Sequence, residues 1–290
     1  MDKQQAARTP RNLCSTETRE VSSLTSNIAI VICYQRVYSR AIKMRIKDVM
    51  PLPISEQDLS RRRKERLRVA RRDTEVDLVN LRRGPALHGP YRYEMLLSDL
   101  MVYLEAERAE EEGYDAVMTD CTEDGPLEAL RERLSIPVVG PLEASMHLAA
   151  MLGKKFSIIA LRGHEEPLFR EQARETGLAD RLVSVREVDV NFPELEEFGD
   201  QKLKEDLFRE SKLAIEEDGA DVLILGCTSF VEVEEWLSKE LGVPVLQPGN
   251  VAIKVAELLH DLNLTQSRKA YPHGEEHYKD IMNLIRGAIE

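Results

Sequence analysis

Glu111-Glu-Gly-Tyr-Asp-Ala-Val-Met-Thr-Asp-Cys-Thr122 and Glu217-Asp-Gly-Ala-Asp-Val-Leu-Ile-Leu-Gly-Cys-Thr228 follow one pattern twice. Asp115 lies six residues before Cys121, and Asp221 six before Cys227. The likeness continues downstream. An amphipathic stretch, Leu127 to Leu134, leads to Ile136-Pro-Val-Val-Gly-Pro141 in the first copy. Val233 to Leu241 leads to Val243-Pro-Val-Leu-Gln-Pro248 in the second. Segments of helical period then follow, Leu142–Leu152 and Gly249–Leu259. One inserted residue aligns about forty, so the chain carries a duplicated unit.

Each copy has a direct local reading. Ala116-Val-Met-Thr and Val222-Leu-Ile-Leu are short apolar runs, as expected of strands buried on both faces. A helix and a further short strand follow each. That rhythm predicts parallel sheets covered by helices. Outside the repeat, strands are expected at Met44–Asp48, Thr74–Val79 and Phe156–Leu161. Helices are expected at Leu59–Ala70, Tyr93–Glu112 and Gln201–Glu217.

Both cysteines fall at the carboxyl end of a strand, where an α/β sheet binds its ligands. A helix is expected to start there, and its N-terminal N–H groups favour a thiolate. Thr122 and Thr228 are expected to cap the turn or offer hydroxyls. One buried cysteine is ordinarily a small core residue. Two at equivalent positions of a repeat, each followed by Thr, favour chemistry.

Two opposed thiols suit inversion at a carbon next to a carbonyl. One thiolate removes the proton from one face, and the other thiol delivers a proton to the opposite face. A modest lowering of one thiol pKa makes a useful base while its partner stays an acid. Backbone N–H groups are positioned to hold the enolate formed between the steps. That chemistry calls for no metal and no cofactor.

Bulk properties set the frame. A chain of 290 residues can bury a full core. A net charge of -12 argues against nucleic acid as a partner. The longest apolar stretch, from Asn27 to Cys33, is far too short for a membrane span. Four cysteines without Cys-x-x-Cys or zinc spacing fit a reducing compartment, the cytoplasm. Residues 1–43 carry a net +4, leaving -16 for the remainder. They read as a poorly ordered upstream extension, with the domain opening at Met44, rather than as a targeting peptide. Neither Cys14 nor Cys33, which lie in this segment, is given a role.

The doubled strand-Cys-Thr pattern resembles the cysteine-dependent Asp/Glu/hydantoin racemase superfamily. Ile136-Pro-Val-Val-Gly-Pro-Leu-Glu-Ala-Ser-Met-His147 is similar to the segment after the first cysteine in its hydantoin/allantoin racemase branch. So are the stretch from Glu217 to Thr228, Arg83-Gly-Pro-Ala86 and the tail Leu264–Pro272. The resemblance implies an α/β fold of two pseudosymmetric lobes, each a parallel sheet flanked by helices, with the active site in the cleft between them. Lobe 1 is expected from residues 44–140 plus 249–290, and lobe 2 from 141–248. It implies a cofactor-independent racemase or epimerase, a cytoplasmic homo-oligomer acting on a small molecule of hydantoin-like type, with Cys121 and Cys227 catalytic. It also implies substrate contacts from Ser55, Thr122, Glu123, Asp124, Thr228, Ser229 and His147.

The departures are local. The branch usually opens with Asn-Pro-Asn-Thr-Ser, where this chain has Met50-Pro-Leu-Pro-Ile-Ser55. After the first cysteine the branch commonly places Asp-Pro-Gly, where this chain has Thr-Glu-Asp-Gly-Pro126. An Asp/Glu-type amino-acid racemase, a decarboxylase or an isomerase would use the same thiols. A non-catalytic ligand-binding protein with inert cysteines is the rival of another class.

Several residues receive plainer readings. Arg61-Arg-Arg-Lys-Glu-Arg66 reads as a solvated helix face. Glu143 reads as a helix-start acid. His273 and His277 read as surface residues, and Gly84-Pro85 as a turn. Asp120, at the position of Gly226, is expected either to make Cys121 the resting acid or to point away from it.

Overall fold

Met44–Val49 (β1), Thr74–Val79 (β2), Ala116–Thr119 (β3) and Val138–Val139 (β4) form one sheet in the order β2-β1-β3-β4. Phe156–Ala160 (β5), Leu182–Glu187 (β6), Val222–Leu225 (β7) and Val245–Leu246 (β8) form a second in the order β6-β5-β7-β8. Every pairing is parallel, and the register repeats: Val117 faces Val138 in the first sheet, and Leu223 faces Val245 in the second. The computed structural model describes residues 44–81, 91–163, 166–191, 199–274 and 278–289. The upstream extension with Cys14 and Cys33, the Gly84-Pro85 turn and His277 lie outside the described residues.

The helices are Glu56–Val69 (α1), Arg92–Ala106 (α2), Leu127–Arg133 (α3), Pro141–Leu152 (α4), Glu166–Glu175 (α5), Gly199–Glu216 (α6), Glu234–Leu241 (α7), Pro248–Asp261 (α8) and Tyr278–Ile289 (α9). The α2 helix stops at Ala106, short of the expected Glu112. The chain turns from Glu107 to Gly113, and Gly113 takes φ 81°. The paired aspartates of the repeat prove to be latches. Asp115 accepts from the backbone N–H of Arg45 at 2.8 Å, and Asp221 from that of Lys155 at 2.9 Å. Each fastens the approach to its cysteine-bearing strand to the neighbouring strand's start.

The two helices that end the repeats exchange sheets. Leu142, Met146 and Ala149 of α4 pack with Phe156, Ile158, Val222 and Ile224 of the second sheet. Ala252, Ile253 and Ala256 of α8 pack with Met44, Ile46, Ala116 and Met118 of the first. Burial of these apolar faces is the main force holding each layer, at about 25 cal/mol per Å². The exchange covers one face of each sheet; the other face is buried by that half's own segments, Val102, Leu127 and Leu130 in the first and Leu207, Ala214 and Leu237 in the second. Among the described residues, no helix is long and apolar enough to cross a membrane.

Candidate active site

Cys121 stands two residues beyond β3, and Cys227 two beyond β7; both are partly exposed. The residue before each is fixed in the same way. Asp120 N donates to Val49 O at 2.9 Å, and Gly226 N donates to Ile159 O at 2.6 Å. Each cysteine then enters a tight turn. Cys121 O accepts from Asp124 N at 3.2 Å, and Cys227 O from Phe230 N at 3.3 Å. Helices α3 and α7 begin only at Leu127 and Glu234. The helices start where the amphipathic stretches place them, and a turn separates each from its cysteine. A helix dipole acts mainly over its own first turn, so neither helix supplies the expected thiolate stabilisation through the chain.

The two turns are bound to each other. Thr122 Oγ1 donates to Gly226 O at 2.7 Å. Thr228 Oγ1 donates to Asp120 O at 3.0 Å. Each threonine thus reaches the carbonyl just before the other copy's cysteine. Both threonines are buried, so these bonds form away from water. Of the two expected roles, capping the turn or offering hydroxyls, these bonds are of the second kind, and they cross-link the copies.

Neighbouring groups hold the turns against the exchanged helices. Asp124, at φ 58°, accepts from Leu142 N at 2.9 Å and Glu143 N at 2.6 Å, capping α4. Burial pushes its carboxyl up to about 7, against those two N–H groups. On the other side Gln247, the N-cap of α8, donates to Thr228 O at 2.8 Å. Gln172 of α5 donates to Thr122 O at 3.2 Å and Glu123 O at 3.0 Å.

The remaining expected site residues are distributed unevenly. Ser229 Oγ lies 2.8 Å from Cys227 Sγ. Glu123 follows the first turn; burial, then the nearby Asp99, push its carboxyl up to about 7 while Arg92 opposes them. Burial likewise pushes Asp99 up to about 6. Ser55 is exposed and caps α1 by accepting from Asp58 N at 3.2 Å. His147 is exposed on α4. Glu143 sits in the first turn of α4 and pairs with Arg131. His273 is exposed, as read from the sequence.

The largest departure from the sequence reading is on α1. Arg62 and Arg66 are only 2% and 1% exposed, not solvated. Arg62 Nη1 donates to Asp120 Oδ2 at 3.0 Å and to Thr228 Oγ1 at 3.1 Å. Arg66 donates to Asp120 Oδ1 at 2.7 Å and to Asp48 Oδ2 at 3.0 Å. Burial and Asp120 push the Asp48 carboxyl up, against Arg66. Against the pull of burial, Arg66 and Arg62 hold Asp120 below the usual carboxylate range. Asp120 thus turns its charge toward α1, the second of the two orientations open from sequence. Arg61, Arg63 and Lys64 are exposed, as expected.

Two parallel sheets with exchanged helices, and one strand-end thiol from each half in turns bound to one another, define a class: a pseudosymmetric, doubled α/β protein. The family model described as Asp/Glu/Hydantoin racemase matches residues 53–256, and the chain belongs to that family. A hydantoin racemase of Pseudomonas sp. (strain NS671) is 35% identical over 220 residues, covering 75% of this chain and 88% of that protein. Two solved structures share the fold at a TM-score of 0.74. The allantoin racemase from Pseudomonas fluorescens is 29% identical, covering 80% of this chain and 97% of its own. The one from Klebsiella pneumoniae is 27% identical, covering 80% and 94%. Among the described residues, no cluster of His, Cys, Asp or Glu has the make-up of a metal site.

Proposed function

We propose that this chain is a cofactor-independent racemase or epimerase acting on a small cyclic substrate of hydantoin type. The observation that carries the reading is the reciprocal pair of threonine bonds, Thr122 to Gly226 and Thr228 to Asp120. They fix two cysteine turns in a paired arrangement, as a two-sided acid/base reaction requires. Identity to a hydantoin racemase and to allantoin racemases supports the substrate class.

In this reading one cysteine, as thiolate, takes the proton from the carbon next to the carbonyl. The electron pair of that C–H bond moves into the enolate, whose oxygen carries the charge. The other cysteine, as thiol, gives its proton to the opposite face. The product is the mirror-image centre, and the two sulfurs have exchanged protonation states. Backbone N–H groups of the cysteine turns are the donors for the enolate oxygen, fixed before the reaction begins. Thiols suit the task because their pKa lies near neutrality, so each form is accessible. Ser229, 2.8 Å from Cys227, orients that sulfur, while Thr122, Glu123, Asp124 and Thr228 shape the turns around the substrate. The small molecule is the partner, turned over in the cytoplasm by a homo-oligomer. His147 and Ser55 are the outer candidates for substrate contact.

The test is optical. Single enantiomers of 5-substituted hydantoins, allantoin, Asp and Glu are followed by polarimetry with the wild-type chain, Cys121→Ser and Cys227→Ser. Loss of rotation with a hydantoin or allantoin, abolished in both variants, is the expected result. Rotation that persists unchanged in both variants excludes the two-thiol reading. Activity confined to Asp or Glu excludes the substrate class.

A further inference from the structure

The duplication makes one difference between the cysteines conspicuous. Gly226 has no room for a side chain, since a Cβ there would lie 2.8 Å from Ala160 Cα and 2.9 Å from Ile159 O. The equivalent Asp120 does have room, and its carboxylate takes Arg62 and Arg66 from α1. The helix equivalent to α1 in the second half is α5. It offers the first turn a neutral amide, Gln172, with Phe169 and Ala173 buried behind it. So a guanidinium donates to the Cys227 turn through Thr228, and a neutral carboxamide donates to the Cys121 turn.

Arg62 is enclosed by Asp58 on its own helix (Nε to Oδ2, 2.9 Å), by Asp120 and by the Cys227 turn through Thr228. Burial alone would lower its pKa; the charges of Asp120, Asp58 and Cys227 raise it instead. Arg62, buried and bonded to the residue next to Cys227, places a cation beside that sulfur, and a neighbouring cation favours the charged form of a thiol. The other charges packed here are Arg66 on α1, held by Asp48 of β1 and Asp120, and Glu65, held by Arg68 and Asn250. On the Cys121 side the neighbouring charges are acidic, Glu123 and Asp99, with Arg92 opposing.

We propose that Arg62 is a positioning residue that makes Cys227 the resting thiolate, leaving Cys121 as the resting acid. The inference rests on the two-thiol reading and adds a direction to it. The enzyme at rest is then primed for the enantiomer whose proton faces Cys227. The other enantiomer is met by the minor protonation state.

The experiment follows iodoacetamide alkylation of each cysteine against pH by peptide mass spectrometry, on the full chain. In the wild type, Cys227 is expected to reach half-reactivity at least one pH unit below Cys121, a tenfold difference in thiolate at a given pH. Arg62→Met should move the Cys227 midpoint up by a unit or more and leave Cys121 in place. Arg62→Lys should restore most of the shift. Because Arg62→Met strips Asp120 of a partner, Arg62→Met/Asp120→Asn runs beside it, with circular dichroism reporting the fold. If neither folds, the wild-type order and Arg62→Lys decide. A lower midpoint at Cys121 in the wild type overturns the proposal. So does a Cys227 midpoint that stays put in a folded variant. Equal midpoints with racemisation lost in both Cys→Ser variants discard Arg62's role alone. Undiminished racemisation in those variants discards the two-thiol reading, whatever the midpoints.

Discussion

The hydroxyl of Thr122 donates to the carbonyl of Gly226 across the two halves of the chain, at 2.7 Å. Its counterpart, Thr228 to Asp120, runs the other way at 3.0 Å. Thr122 and Thr228 are therefore structural partners of the opposite cysteine as much as neighbours of their own. Thr122→Val and Thr228→Val each remove a buried hydrogen bond between the copies, at a cost of about 0.5–1.5 kcal/mol. Thr228→Val should cost more, because Thr228 Oγ1 also accepts from Arg62. Urea midpoints measure the order; a smaller loss in Thr228→Val contradicts it.

Asp120 compensates two buried guanidinium groups at once. Asp120→Asn leaves Arg62 and Arg66 short of charge, and breaking a buried pair in this way costs about 3–5 kcal/mol. The pH dependence has a definite sign. The folded pKa of Asp120 is held below its unfolded value, so its contribution is present above the usual carboxylate range. It is lost as pH falls through the folded value. Wild type should lose stability on acidification in that range more steeply than Asp120→Asn, as followed by thermal melts. Equal slopes contradict the pairing.

Glu123 runs the opposite way. Burial, then Asp99, raise its carboxyl to about 7 from an ordinary 4.5, so the folded chain holds the proton longer than the unfolded one. Stability then falls as pH rises from about 4.5 to about 7. Glu123→Gln should flatten that part of the profile and raise the melting temperature at pH 7.5. An unchanged slope means the carboxyl is not confined as described.

Gly226 is set by steric contact. Gly226→Ala drives a Cβ onto Ala160 Cα and Ile159 O, both backbone atoms that cannot rotate away. The expected cost is about 1–3 kcal/mol of overpacking. Displacement of Cys227 should lower kcat further. Wild-type stability and rate together would show that β5 yields at this point.

The fold was readable because duplication doubles every signal. The strands before both cysteines stand as the apolar runs predict, and Thr74–Val79, outside the repeat, stands within its expected bounds. For α4 and α8 the lobe bounds come from the resemblance, not from the local pattern. Their periodicity marks an apolar face but does not say which sheet it covers. The helices after Cys121 and Cys227 stand where the amphipathic stretches from Leu127 and Val233 predict them, but the shape of the turns before them has no such signal. The positive φ of Asp124 and Glu232 bends the chain first. From sequence Arg62 and Arg66 belong to a solvated face, because arginine is a surface residue unless paired. Their partner Asp120 lies 58 and 54 residues away, a separation with no local signature. The one available hint was the contrast of Asp120 with Gly226 between otherwise matching copies.

The central claim is that Cys121 and Cys227 serve opposite faces of one carbon. Turnover of each enantiomer of a hydantoin substrate in D2O, with Cys121→Ser and Cys227→Ser, tests it most directly by NMR of the Cα hydrogen. The account predicts that neither variant racemises. It also predicts that each still exchanges the hydrogen of one enantiomer only, a different one in each variant. Exchange of both enantiomers at the wild-type rate in either variant would contradict it.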